Sequence, residues 1–269
     1  MKGMILMKTN YHTHTFRCGH AKNFLDEEYV LSAIQNGFNE LGFSDHAMFS
    51  DIYNEYGMRA PYNELEGYIK SISELKEKYK DQIKIYTAME CEYFNEYYDE
   101  LKELLDSKKM DYLIFGNHFF RHIEGKIFTE KEMWTSEEFF DVYVDKAIEA
   151  LNSKLFKIFA HPDLVFLNYK KWNKHVETRL IEMLEVAKQN DVYIEFNMGG
   201  FRRGMKQYGD EYRYPYPYMP FFKLVKQVGN KVVIGVDAHD PKELGIEEYE
   251  RALKITKELN LKIEDKIEF

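Results

Sequence analysis

Histidines and carboxylates recur in this chain at the places where alternating strands and helices would do chemistry. Nine histidines are present, and His12, His14, His20, His46, His118, His161 and His239 lie at or just past the C-terminal ends of strand-like runs. Side chains at i and i+2 on a strand leave on the same side. His12 and His14 can therefore grip one cation, and Asp237 and His239 repeat that spacing. Glu90 and Glu92 are spaced likewise, and only one of them need be a ligand. Asp45 and His46 are adjacent, so they face one point only if the strand has begun to turn. His118 and His161 each follow an apolar run, and Pro162-Asp163 gives the second a sharp exit.

Imidazole mixed with carboxylate suits zinc, iron or manganese rather than calcium. A catalytic metal takes about three to four protein ligands. On that basis His12, His14, His20, His46, Glu90, His118, His161, Asp237 and His239 would serve two or three divalent cations, with one carboxylate shared. Neutral imidazoles return no charge to the cations. The site would stay positive and draw a hydroxide and a dianion, of which a phosphate monoester is the obvious one. Attack of metal-bound hydroxide on phosphorus is the chemistry such a site performs.

Around these ligands stand supporting candidates. Asp45 reads as a proton donor or a supporting carboxylate. Arg202, in the loop Gly199-Gly200-Phe201-Arg202-Arg203-Gly204, could fork onto a phosphate. Cys18, between His14 and His20, reads first as a small packing residue with zinc ligation as the alternative, and Cys91 reads as packing. His122 and His175 read as surface residues. The tyrosine-rich stretch from Tyr208 to Phe222 suits either a lid or ordinary packing, and the long loop from Ala47 to Pro61 suggests cover over the site.

The elements that must position these groups follow from periodicity. Strand-like runs fall at Lys8–His12, Glu40–Ser44, Ile83–Ala88, Asp111–Phe115, Leu155–Ala160, Asp191–Phe196 and Lys231–Val236. Between them, Leu65, Tyr68, Ile69, Ile72, Leu75 and Tyr79 recur at helical spacing. So do Phe139 to Leu151, behind an expected capping box at Thr135 and Glu138, and Val176 to Ala187. Gly37 reads as a helix stop, and Glu247 to Leu259 as a last helix. Strands alternating with helices pair in parallel. Alternation along the whole chain predicts one continuous domain, residues 1–269, forming a closed or nearly closed β/α barrel. A doubly wound open sheet is the alternative. In a barrel the C-terminal strand ends converge on one face, and that face would hold the histidines.

Composition narrows the setting. The chain has 269 residues, 45% of them apolar and 16% aromatic, which argues against disorder. A net charge of −9 weighs against a nucleic-acid partner held through phosphates. Two cysteines rule out a disulfide framework and suit a reduced cytoplasm. The apolar patch from Met4 to Met7 is too short for a signal segment, and no run is long enough for a membrane span.

In chain order, His12-Thr13-His14, Cys18-Gly19-His20-Ala21, Ser44-Asp45-His46, Met89-Glu90, Asn117-His118, Ala160-His161-Pro162-Asp163 and Asp237-Ala238-His239 resemble the motifs of the PHP (polymerase and histidinol phosphatase) superfamily. The likeness runs from Asn10 to about Gly245. It is closer to the histidinol-phosphate phosphatases of that superfamily, on the Cys-Gly-His-Ala box, the stretch from Ile194 to Arg203, and the Tyr-Pro element at Tyr214 to Tyr218. The resemblance implies a distorted (β/α)7 barrel with a trinuclear metal site. In it, His12, His14, Glu90 and Asp237 would hold one metal. Glu90 would bridge to a second, held also by His118 and His161. His20, His46 and His239 would hold the third, and Arg202 would bind phosphate. Asn117 departs from the small or apolar residue that relatives often carry, without removing a ligand. The implied activity is hydrolysis of L-histidinol phosphate in histidine biosynthesis. Other phosphomonoesters (nucleotides, DNA ends or phosphotyrosine), an amidohydrolase-like reaction and a non-catalytic metal-storage role are the competing readings.

Overall fold

The computed structural model describes residues 7–52, 57–119, 121–123, 126–128 and 135–269. Most of the apolar patch at Met4 to Met7, residues 53–56 of the loop from Ala47 to Pro61, and the side chain of His122 lie outside what is described.

In chain order the strands are β1 (Thr9–Asn10), β2 (Glu40–His46), β3 (Lys84–Cys91), β4 (Tyr112–Gly116), β5 (Arg121–Ile123), β6 (Lys126–Phe128), β7 (Ile158–Ala160), β8 (Tyr193–Asn197), β9 (Lys206–Tyr208), β10 (Glu211–Arg213), β11 (Lys231–Gly235) and β12 (Lys262–Ile263). The helices are α1 (Asp26–Gln35), α2 (Leu65–Tyr79), α3 (Tyr98–Asp106), α4 (Glu137–Asn152), α5 (Lys174–Gln189), a short turn α6 (Gly199–Arg202), α7 (Met219–Val228) and α8 (Ile246–Glu258). Each of the seven expected strand runs overlaps a strand of one sheet. That sheet has the order β1-β2-β3-β4-β7-β8-β11-β12 with every pairing parallel. Three features were not expected: the short eighth strand β12, and the antiparallel hairpins β5–β6 and β9–β10.

The sheet curls until its first strand meets its seventh. Thr13 bridges Ala238 in parallel, and the His14 amide donates to the Ala238 carbonyl at 2.8 Å. Asn10 Oδ1 accepts from the Val236 amide at 2.8 Å and strengthens the seam. At the opposite end, β12 occupies the edge of β11. The result is a distorted (β/α)7 barrel, closed at its C-terminal end.

Strand alternation divides the apolar residues in two. One cluster fills the space between sheet and helices. The other, with Tyr11, Tyr86, Tyr112, Ile114, Ile158, Tyr193, Val233 and Ile267, fills the barrel interior. Glu40, buried in that interior, accepts from Tyr11 Oη at 2.7 Å and Tyr86 Oη at 3.0 Å. Gly42 faces the same space, where a Cβ would come within 1.9 Å of Tyr112 Oη. From the C-terminal segment, the Ile267 amide donates to Tyr11 Oη at 3.0 Å, and Phe269 stacks on Tyr112 at 4.2 Å. The tyrosines and this segment plug the floor, so chemistry is left to the other end.

Helix faces match the expected periodicity. α2 buries Leu65, Tyr68, Ile72, Leu75 and Tyr79, and α5 buries Val176, Leu180, Met183, Leu184 and Ala187. Gly37, at φ +75°, ends α1 with amide bonds back to the last turn. The cap of α4 is a correction. Ser136, not Thr135, is extended and accepts from the Phe139 amide at 3.1 Å, one residue later than the expected capping box.

Candidate metal centre

Strand parity decides which side chains enter the barrel mouth. On β3, Tyr86, Ala88 and Glu90 point inward, while Met89 and Cys91 join the outer cluster, as expected for Cys91. On β2, His46 is inward, and Asp45 shares the outward parity of Leu41 and Phe43. On β8, Glu195 follows Tyr193 inward. Gly116 on β4 makes room: a Cβ there would come within 2.6 Å of both Glu90 Oε1 and the His118 ring. His161 follows an outward Phe159, and its backbone swings it inward at φ +29°. Asp237 likewise sits at φ +54°. Positive φ outside glycine costs conformational energy and clusters at functional positions.

These side chains converge on Glu90. Its Oε2 lies 3.4 Å from both His12 Nε2 and His14 Nε2. Those two nitrogens are 3.0 Å apart, with Asp237 Oδ1 at 3.6 and 3.4 Å from them. Glu90 Oε1 lies 2.9 Å from His161 Nε2 and 3.3 Å from His118 Nε2. One carboxylate thus faces two sets of imidazoles with its two oxygens. His46 Nδ1 is 3.1 Å from Oε2 on a third side, outside hydrogen-bond geometry. Burial opposes ionisation of Glu90 and Asp237, yet the surrounding histidines hold both far below the usual carboxylate range. Burial pulls His12 and His14 down, but the carboxylates beside His12, and Cys18, Asp237 and Glu90 beside His14, raise them well above the usual imidazole value. His46 is pushed down to about 4, chiefly by burial.

The ring nitrogens turned away from the centre have dedicated partners. His12 Nδ1 is 2.8 Å from Glu195 Oε1, and His118 Nδ1 is 3.0 Å from Glu92 Oε1. Glu195 Oε2 also accepts from the His161 amide at 3.0 Å and from Asn197 Nδ2 at 2.7 Å. Glu92 Oε2 meets Arg59 Nη2 at 3.0 Å. The sequence reading did not single out Glu195. Its signal was a carboxylate inside the apolar run Tyr193–Asn197, two residues from an inward tyrosine.

This donor set fits cations. With Nδ1 turned to a carboxylate, His12 and His118 each direct Nε2 at the oxygens of Glu90, beside the Nε2 atoms of His14 and His161. Nitrogens and carboxylate oxygens packed this closely need positive charge between them. Buried Nδ1 atoms of His14, His46 and His161 and Nε2 of His239 make no hydrogen bond. Among the described residues, three groups have donor atoms within 4.8 Å of one another: His12, His14 and Glu90; His46, Glu90 and His118; and His14, Cys18, His46 and His239. The donor types suit zinc, iron or manganese.

The remaining candidates divide. His239 stacks on His14 at 4.2 Å and on His20 at 4.4 Å. His20 is exposed at the rim and belongs to none of the three groups. Cys18 is not merely packing. It is buried with Sγ 3.3 Å from His20 Nδ1. Burial would raise its thiol, but charge on His14 and the neighbouring rings of His20 and His239 hold it far below the ordinary range. Asp45 is placed behind His14 rather than in the cavity. It accepts from the Thr15 amide at 2.6 Å and from the Thr15 hydroxyl, and is pushed up to about 6, chiefly by burial. Arg202 lines the cavity with its fork engaged. Nη1 and Nη2 donate to the carbonyls of Val236 and Asp237 at 2.9 and 2.7 Å, and Nε is 3.2 Å from Glu243. Arg203 lines the same cavity, 5.7 Å from the Tyr216 ring centre. Asn117 is buried and donates to the Tyr143 carbonyl at 3.0 Å. His175 is a surface residue beside Asp141.

Above the centre is a cavity of about 530 Å³, walled partly by Met58, Phe119, Leu164, Leu167 and Tyr216. Gly200 allows the Tyr216 backbone to pass, since a Cβ would lie 1.9 Å from the Tyr216 carbonyl oxygen. Tyr218 instead packs against Phe166 at 4.8 Å, so the tyrosine-rich stretch serves both cavity wall and core.

Comparison with known proteins follows this geometry. The chain is 26% identical over 266 residues to the histidinol-phosphatase of Bacillus subtilis, covering 89% of this chain and 96% of that protein. It is 24% identical over 243 residues to the histidinol-phosphatase of Lactococcus lactis, covering 87% and 85%. Its fold matches the crystal structure of histidinol phosphate phosphatase from Lactococcus lactis, complexed with zinc, L-histidinol and phosphate. That match has a TM-score of 0.67 and 20% identity, over 96% of each chain. The family model for the PHP domain matches residues 10–199, most of the chain and all but two of the convergent ligand positions. The chain belongs to the PHP domain family.

Proposed function

We propose that this chain is a phosphatase that hydrolyses L-histidinol phosphate to L-histidinol and phosphate, a step of histidine biosynthesis. The observation that carries the reading is Glu90, whose two oxygens face separate imidazole sets at the base of a cavity of about 530 Å³. The named relatives support the substrate.

His12, His14, Glu90 and Asp237 would hold one divalent cation, and Glu90, His118 and His161 a second. His20, His46 and His239 are the residues proposed for a third. Zinc is the first candidate, with iron or manganese as alternatives. When bound, such cations would polarise the phosphoryl group and activate water. The protein's own part is orientation. Glu195 fixes the tautomer of His12, Glu92 that of His118, and both keep Nε2 turned inward. Arg202 holds the turn that carries Asp237 and His239 through two carbonyls. Arg202 and Arg203 supply the positive rim for the phosphate. The apolar wall from Met58 to Tyr216 suits the flat imidazole of histidinol. Asp45 supports His14 from behind, and we assign proton donation to no residue.

A cavity of this size suits a small ester better than a polymer. We propose one domain acting in the cytoplasm with no nucleic-acid partner. Among the described residues no helix is long and apolar enough to cross a membrane. The test is kcat/KM on L-histidinol phosphate beside AMP, phosphotyrosine and glycerol phosphate. A preference of about a hundredfold or more supports the reading, and equal or faster turnover of another ester overturns it.

A further inference from the structure

The turn that follows His14 carries a thiol into the histidine cluster. The Cys18 amide donates to the Thr15 carbonyl at 2.9 Å, the Ala21 amide to the Cys18 carbonyl at 2.9 Å, and the Lys22 amide to the His239 carbonyl at 2.9 Å. Arg17 grips Asp26 through both carboxylate oxygens and pins the loop. Gly19 passes so close to the carbonyl of Gly57 that a Cβ would meet that oxygen at 1.5 Å. Cys18 is thereby 1% exposed, although the loop around it is at the surface.

Its Sγ shares a 4.8 Å neighbourhood with donor atoms of His14, His46 and His239. His20 Nδ1 lies 3.3 Å away on the outer side. A buried thiol in an apolar pocket would need no such company. Two independent observations point to a ligand. The Nδ1 atoms of His14 and His46, both residues almost wholly buried, make no hydrogen bond, and neither does Nε2 of His239. One sulfur with two or three imidazole nitrogens is also the donor set of a tetrahedral zinc site, and tetrahedral geometry needs donors at this mutual spacing.

We propose that Cys18 supplies a thiolate ligand to the cation held by His46 and His239. The proposal rests on the reading that these histidines bind metal. The thiolate is the form that ligates, as it is for any cysteine bound to a metal. The third set thereby differs in kind from the two around Glu90, which offer only nitrogen and oxygen. Sulfur makes it the softest of the three and the one that best retains zinc, cobalt or iron(II).

The test is cobalt(II) substitution of the chelator-stripped full-length protein under reducing, anaerobic conditions, read by absorption and by metal analysis. Wild type and Cys91→Ser are expected to show a near-ultraviolet thiolate-to-cobalt charge-transfer band. Cys18→Ser and Cys18→Ala are expected to lose it, together with one equivalent of cobalt, while visible ligand-field bands persist. Bound cobalt without the charge-transfer band in wild type overturns the thiolate assignment and leaves the histidine sites standing. So does a band that survives in both Cys18 variants. Failure of wild type to take up any cobalt overturns the metal reading itself. The wild-type spectrum decides the matter even if a variant folds poorly.

Discussion

His12 Nδ1 lies 2.8 Å from Glu195 Oε1, and the other oxygen of the same carboxylate takes the backbone amide of His161. One buried side chain on β8 therefore sets the ring of a residue at the start of the barrel and the backbone of another three-fifths of the way along the chain. Residues that fix a ligand's tautomer commonly contribute 10–100-fold to metal affinity. Glu195→Gln should weaken cation binding by about that factor, measured by competition with a chromophoric chelator, with little change in far-ultraviolet circular dichroism. Gly235→Ala should act through the same group, because its Cβ would fall 1.7 Å from Glu195 Oε1. Wild-type affinity in both variants would remove Glu195 from the account.

The two adjacent arginines should separate cleanly. Arg202 bonds the carbonyls of Val236 and Asp237 and pairs with Glu243, so Arg202→Ala should destabilise the protein by roughly 1.5–3 kcal/mol as well as lower turnover. Arg203→Ala should leave the melting temperature near wild type and raise KM for the phosphorylated substrate several-fold. The reverse pattern would assign the phosphate contact to Arg202 alone.

Glu92 gives a pH dependence with a definite sign. Burial opposes its charge, but Arg59 and the hydrogen bond from His118 hold it down at about 2, against an ordinary value of 4.5. A depressed carboxylate stabilises the fold above its unfolded pKa, and that stabilisation is lost as pH falls through the folded value. In stripped protein, Glu92→Gln should cost roughly 2–3 kcal/mol at neutral pH. The gap to wild type should narrow as pH drops from 5 toward 3. Urea unfolding at several pH values reads this directly, and a gap that is constant or widens would contradict it.

The floor of the barrel should be separable from its mouth. Ile267 is fully buried among the interior tyrosines, and its amide bonds Tyr11 Oη. Ile267→Ala should cost roughly 2–5 kcal/mol in denaturant unfolding and leave kcat at saturating substrate close to wild type. A loss of kcat with unchanged stability would mean that the plug reaches the chemistry.

Much of this arrangement was legible in the chain. Alternation placed the seven barrel strands, and strand parity separated Glu90 from Cys91 and His46 from Asp45. Parity speaks only for residues on a regular strand. His161 reaches the centre through a positive φ, which residue type alone does not announce. Cys18 lies in a loop whose turns, not its spacing, carry the thiol inward, so it read first as packing. Asp45 read as a proton donor or a supporting carboxylate, and its outward parity and its bonds to Thr15 favour the second, behind the site. Arg202 was visible as a rim arginine, but its carbonyl partners lie just past β11, far along the chain. Contacts made across the barrel depend on closure, and closure leaves no periodic trace.

If the residues around Glu90 hold the cations that hydrolysis of histidinol phosphate requires, phosphate release must follow metal content. The most direct measurement is phosphate release from L-histidinol phosphate by a single preparation, first stripped by chelator and then reconstituted with zinc, iron(II) or manganese(II), with bound metal counted on the same sample. The account predicts negligible release when stripped, and recovery in proportion to metal bound, saturating at two to three equivalents. Full release by stripped protein, or no release by fully loaded protein, would contradict it.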